Sequence, residues 1–165
     1  LRLLPATALV LVLAACGQER AEVSAESVRE AVIGHYNPAA DPFAQVDAAS
    51  ATAVVESKHI LLVAGGEWCV WCHYLEKFLA QETRVSDALH DTFVVVHVNF
   101  SDENRNEEFF GSLPEADGYP HFWILDRAGR LLESQGTLAL EDGDKSYNTS
   151  AFVAFIDRWR ATLDR

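Results

Sequence analysis

Methionine is absent from these 165 residues, cysteine occurs three times, and cationic side chains are outnumbered, 13 Lys and Arg against 25 Asp and Glu. Each scarcity removes a class of function. A formal charge of −12 argues against nucleic acid as a partner and against electrostatic adhesion to anionic lipid; the acidity reads as solubility. Without Met, a haem with His/Met axial ligation has no second ligand. The longest apolar run, within residues 1–15, is too short to span a bilayer as a mature helix. The acidic stretch Glu141-Asp142-Gly143-Asp144 is too short for a calcium loop of the EF-hand type and reads as a solvated turn. No internal repeat is visible. What remains, 49% hydrophobic and 23% charged, suits one globular domain with a real core and a monomer.

The first cysteine closes that apolar run. Residues 1–15 hold one charge, Arg2, and end in Leu13-Ala14-Ala15-Cys16, which resembles the lipobox of a bacterial lipoprotein. The resemblance implies a signal peptide over 1–15 and acylation of Cys16 as the new N-terminus. Several acyl chains on one residue hold a protein on a membrane firmly, where one chain binds marginally. Gly17 and Gln18, with no Asp, resemble the sorting pattern of the outer rather than the inner membrane. The expected address is therefore the bacterial envelope, facing the periplasm, where disulfide chemistry is permitted. Residues 16–46 then form a lipidated N-terminus, a tether and a short helical extension with a capping box at Ser27 and Glu30, and 47–165 the domain.

Lipidation of Cys16 leaves one matched pair, Cys69 and Cys72. Two thiols at i and i+3 can be joined when the first stands at a helix start and the second one turn in. A helix N-terminus beside the first sulfur, with its free N–H groups and positive dipole end, favours thiolate over thiol. Cys69 is thus the expected nucleophile and Cys72 the resolving thiol. A structural bridge is the bland alternative, and so short a loop removes little entropy from the unfolded chain. The same letters, Cys69-x-x-Cys72-His73, also satisfy the c-type haem attachment pattern with His73 as axial ligand, so a haem-binding lipoprotein is the alternative function.

Around this pair the chain alternates. Asn37-Pro38 and Asp41-Pro42 punctuate a loop, and a helix is expected from Asp47 to about Lys58. His59 to Ala64 reads as a strand buried on both faces, and the helix bearing the cysteines follows Gly65-Gly66. A short helix at 85–90, a β-branched strand from Phe93 to Val98, and a short helix around Phe109 and Phe110 come next. Pro120 to Leu125 and Leu131 to Ser134 flank a turn as a hairpin. Phe152, Phe155, Ile156, Trp159 and Leu163 form the apolar stripe of a final helix. This is an α/β order, with helices expected on both faces of a central mixed sheet.

The order β, α, β, α, β, β, α around a dithiol, with Trp68-Cys69-Val70-Trp71-Cys72 followed by Glu76-Lys77-Phe78, resembles the thioredoxin-like fold, and in particular the C-terminal thioredoxin-like domain of the disulfide reductase DsbD and its single-domain relatives. The resemblance implies a thiol:disulfide oxidoreductase needing no cofactor or metal, a reductase rather than an oxidase. It would act on protein or small-molecule disulfides and draw on an electron donor that the sequence does not identify. It makes Pro120 of Gly118-Tyr119-Pro120 a cis-proline facing the dithiol, which leaves the Tyr119 backbone open to an extended substrate segment. Trp68 matches the aromatic before the first cysteine and is expected to shield it; Trp71 is expected as an exposed docking indole. His73 and His121 are expected to flank the site, where they would tune the thiolate or, as a further alternative, bind a soft metal in a noncatalytic protein. One departure stands out: the family commonly buries an Asp six residues before the first cysteine, where this chain has Val63. The proton of Cys72 then needs another base, with Glu67 on the preceding loop favoured over His73.

Overall fold

The apolar run after Lys58 becomes the strand against which the other elements are laid. His59–Gly65 (β1) is buried along its whole length, and a strand buried on both faces needs partners on both edges and cover on both sides. Phe93–Asn99 (β2) pairs with it in parallel, Val63 opposite His97 and Gly65 opposite Asn99. His121–Leu125 (β3) pairs antiparallel on the other edge, and Leu131–Gly136 (β4) completes the expected hairpin. The sheet order is β2-β1-β3-β4. The computed structural model describes residues 35–163; the expected signal peptide, the Cys16 acylation site and the Ser27/Glu30 capping box lie outside the described residues.

Helices cover both faces, as the order of elements predicts. Val70–Gln81 (α2), Thr83–Thr92 (α3) and Thr149–Arg160 (α5) lie on one side. There Leu61, Val63, Val95, Phe122 and Ile124 of the strands meet Phe78, Leu89, Phe155 and Ile156. Pro42–Glu56 (α1) and the short Glu107–Gly111 (α4) lie on the other, against Ile60, Leu62, Val96, Val98 and Trp123. The period-two alternation of a strand sorts these sets. α1 approaches through Ala49 and Ala53, both fully buried, one turn apart and too small to hold the helix off the sheet. Each large aliphatic or aromatic side chain buried this way contributes about 1.5–3 kcal/mol.

Two boundaries differ from the sequence reading. α1 begins at Pro42, because the Asp41 carboxylate accepts from the Phe43 N–H (3.0 Å) and proline takes the first helical position. Asp41-Pro42 is therefore a helix start rather than loop punctuation, and the domain boundary expected at 47 falls inside α1. α5 starts where Asn148 accepts from the Ala151 N–H (3.0 Å), but it ends at Arg160, so Leu163 of the expected stripe sits half-buried in the closing turn. The segment after β4, read as a polar loop, holds a 3₁₀ turn at Leu138–Leu140 and buries Leu140 and Tyr147.

Candidate active site

β1 ends at Gly65, and the chain turns through Gly66, Glu67 and Trp68 into α2. Cys69 stands at the helix N-cap with extended backbone (φ −87°, ψ 101°), and its sulfur accepts from the Cys72 N–H at 3.2 Å. The sulfur occupies the place where a capping oxygen usually satisfies the free N–H groups of a helix start. Cys69 and Cys72 are joined as a disulfide with Cα atoms 5.2 Å apart, inside the ordinary bridging range. Both are buried, at 3% and 1% exposure. The two glycines make this approach possible: a Cβ on Gly65 would overlap Cys72 Sγ, and one on Gly66 would lie 2.6 Å from Trp68 Nε1.

The second expected signature packs directly against the pair. The Tyr119–Pro120 peptide is cis, and the Thr137 hydroxyl donates to the Pro120 carbonyl (3.2 Å). Tyr119 rests on the Cys69/Cys72 cluster, stacks on Phe100 at 4.9 Å and meets the Trp68 ring edge-on at 5.6 Å. Trp68 Nε1 donates to the Phe100 carbonyl (2.6 Å), which fixes the indole beside the dithiol while half its surface stays in solvent. Trp68 and Val70 are the exposed apolar groups next to the cysteines.

The structure corrects the reading of two other residues. Trp71 is not an exposed indole; it is half-buried, edge-on to both Tyr74 (5.3 Å) and Tyr147 (6.0 Å), because the loop before α5 folds over it. His121 follows Pro120 in sequence but faces the opposite side of the sheet. Its ring lies 4.5 Å from Trp123, Nε2 is 2.8 Å from Ser134 Oγ, and burial pushes its pKa down. It therefore does not flank the dithiol.

The two candidate bases lie on the outer side. Glu67 is exposed, and His73 turns its Nε2 to the Glu67 carbonyl at 2.8 Å, with Nδ1 3.6 Å from the Glu76 carboxylate. That carbonyl first, and Glu76 with it, raises the His73 pKa. Among the described residues no hydrogen bond joins either side chain to Cys72. Val63, where the family's acid would stand, is buried among apolar groups. The group over the sulfurs is one the sequence reading passed over: Tyr36, 4% exposed and packed with both cysteines. It stands in a turn-rich stretch before the expected domain, and only its being an aromatic among loop residues set it apart.

The sequence model of the family described as thioredoxin-like matches residues 41–127, just over half the chain. This chain belongs to that family. The thioredoxin-like chain is similar to the disulphide isomerase from Xylella fastidiosa Temecula1, at 26% identity and a TM-score of 0.63, over 74% of this chain and 94% of that one. It is also similar to the oxidised DsbD C-terminal domain of Neisseria meningitidis, at 14% identity and a TM-score of 0.56, over 77% and 100% of the two chains, a likeness of fold alone. No curated protein matches it. Within a thioredoxin-like protein the dithiol is placed for disulfide exchange. The haem-attachment alternative fits poorly, since both sulfurs are buried against Tyr36 and Tyr119 and the His73 ring is turned outward onto the Glu67 carbonyl. Among the described residues no group of three or more His, Cys, Asp or Glu is placed to hold a metal ion.

Proposed function

We propose that this chain is a thiol:disulfide oxidoreductase of the reducing kind, held on the periplasmic side of a membrane by lipid on Cys16. The observation that carries the reading is the Cys69–Cys72 pair at the N-terminus of α2, packed against Tyr119 of the cis Tyr119–Pro120 peptide. In the reduced protein the Cys69 thiolate, stabilised by the free N–H groups of the helix start, attacks one sulfur of a substrate disulfide. A Cys69–substrate disulfide forms and the other substrate sulfur leaves as a thiolate. Cys72 then gives up its proton and attacks Cys69 Sγ. The mixed disulfide breaks, the second substrate thiolate departs, and the Cys69–Cys72 bond closes with two electrons passed to the substrate. A dithiol donor restores the reduced pair. Trp68 and Val70 offer an apolar landing surface, and the Tyr119 backbone an edge for an extended substrate.

The reducing direction is supported by the resemblance of Trp68-Cys69-Val70-Trp71-Cys72 to the DsbD-like domains, and the anchor by the Leu13-Ala14-Ala15-Cys16 motif. Among the described residues no helix is long and apolar enough to cross a membrane. In cells, Cys72→Ser is expected to accumulate covalent mixed disulfides with envelope proteins, visible as ladders on non-reducing gels, and Cys69→Ser to accumulate none. Equal trapping by both would reverse the assigned roles; no exchange by the wild-type dithiol would leave a noncatalytic binding protein. A reduction potential below roughly −200 mV supports a reductant, and one near about −120 mV an oxidant. Cys16→Ser is expected to abolish palmitate labelling, and an unlabelled wild type would remove the anchor.

A further inference from the structure

Resolution requires Cys72 to become a thiolate while 1% exposed. Burial in apolar surroundings raises a thiol's pKa, and the acid that the family places beneath it is Val63 here. The carboxylates nearby make the task harder. Glu76 follows Cys72 by one turn of α2 and Glu67 precedes the helix, and negative charge at either disfavours a second negative group on this sulfur.

A neutral donor is present instead. Tyr36 enters the same pocket from the segment before α1, packs against Cys69 and Cys72, and sets its ring edge-on to His97 at 5.2 Å. A Cβ on Gly65 would strike Cys72 Sγ and lie 2.9 Å from Tyr36 Oη, so phenol oxygen and sulfur flank the same bare Cα. Tyr36 Oη makes no hydrogen bond among the described residues. We propose that the Tyr36 O–H donates a hydrogen bond to the Cys72 thiolate when the disulfide opens, and so sets the pKa of the resolving thiol.

The electrostatics keep the phenol a donor. Burial first, then the negative charges of Glu76 and Glu67, push the Tyr36 pKa far above its ordinary value. Tyr36 therefore holds its proton throughout the cycle. The Cys72 proton leaves to solvent or to the departing substrate thiolate, and Tyr36 supplies only the polar contact that a buried anion lacks. In the disulfide the sulfur is a weak acceptor, which fits a hydroxyl that makes no hydrogen bond to it or to any other described residue.

This inference rests on the thiol:disulfide reading, and one experiment separates the two. The reduced protein is mixed with excess 5,5′-dithiobis(2-nitrobenzoate), and release of the second thionitrobenzoate, the resolution step, is followed by stopped flow from pH 5 to 11. A hydrogen bond to a charged group shifts a pKa by about one to two units. Because a less basic thiolate is also a weaker nucleophile, Tyr36→Phe is expected to resolve about fivefold more slowly at pH 7 and as fast as wild type or faster above the Cys72 pKa, so that the profiles cross. Tyr147→Phe, another buried phenol whose hydroxyl donates to the Trp71 carbonyl (3.3 Å), is expected not to cross. Superimposed or parallel Tyr36→Phe and wild-type profiles would overturn the role of Tyr36 while leaving the oxidoreductase intact; absence of second-step release from wild type would overturn both. Should Tyr36→Phe not fold, reduced wild type labelled with ¹³Cζ-tyrosine decides: the Tyr36 resonance is expected to titrate with Cys72 and to lose that step in Cys72→Ala. A resonance indifferent to Cys72 would sink the proposal.

Discussion

The two ends of β1 each bury one polar aromatic group, and they use it differently. At the His59 end the group is fixed. Thr162 Oγ1 donates to the Trp159 carbonyl (2.7 Å), so the His59 Nε2–H donates to Thr162 (2.7 Å). The His59 ring lies edge-on to Trp159 at 5.6 Å, and its buried Nδ1 has no hydrogen-bond partner among the described residues. At the Gly65 end Tyr36 reaches in with a hydroxyl that has no hydrogen-bond partner among the described residues, beside a sulfur whose charge would change through the proposed cycle. A fixed bond serves stability; an open one serves a group that comes and goes. One strand thus carries a structural end and a chemical end, and the difference lies in what distant segments bring to each.

Filling the chemical end is the harshest way to test this contrast. Gly65→Ala puts a methyl into Cys72 Sγ and Tyr36, and overpacking of this kind costs about 1–3 kcal/mol. Urea unfolding is expected to show that loss together with slowed disulfide exchange. Gly136→Ala in β4, where a Cβ would meet nothing, is expected to stay within about 0.5 kcal/mol of wild type with full exchange. Equal behaviour of the two variants would mean that the dithiol does not depend on the bare Cα.

A gentler test is acid titration of the structural end. Burial, with Arg127 adding to it, lowers the His59 pKa below 6.5, and burial lowers that of His121. Below pH 6.5 the unfolded chain takes up protons that the folded chain refuses. The stabilisation is therefore full above that value and is lost as pH falls from 6.5 toward the folded pKa values. The urea midpoint is expected to decline over that window, and His59→Phe to flatten the decline while leaving the pH profile of disulfide exchange in place. An unchanged decline would assign the acid sensitivity elsewhere, and a shifted exchange profile would show that the two ends are coupled.

Much of this was legible from residue order. β1 and β2 announce themselves as continuous apolar runs, and α5 by Phe152, Phe155, Ile156 and Trp159 at helical spacing, because these signals are local and periodic. Cys69, Cys72 and the cis peptide before Pro120 carry the site in a few letters. Asp41-Pro42 is ambiguous in sequence because the same dipeptide can interrupt a chain or start a helix, and the choice depends on whether the following residues have a sheet to cover. α1 has one, and its Ala49 and Ala53 lie against it.

Residue order is enough to pair the two thiols, since cysteines three apart at a helix start share one turn wherever that helix is placed. Which groups surround those thiols depends on the packing of distant segments. Trp71 is covered by Tyr147 from the loop before α5, while Trp68 stays exposed because its indole is held outward by the Phe100 carbonyl. His121 is turned from the dithiol because strand alternation puts neighbours on opposite faces. Tyr36 is turned toward it because the segment before α1 returns to the Gly65 end of β1. Burial and orientation depend on what arrives from elsewhere in the chain, and no local pattern of residues encodes that arrival.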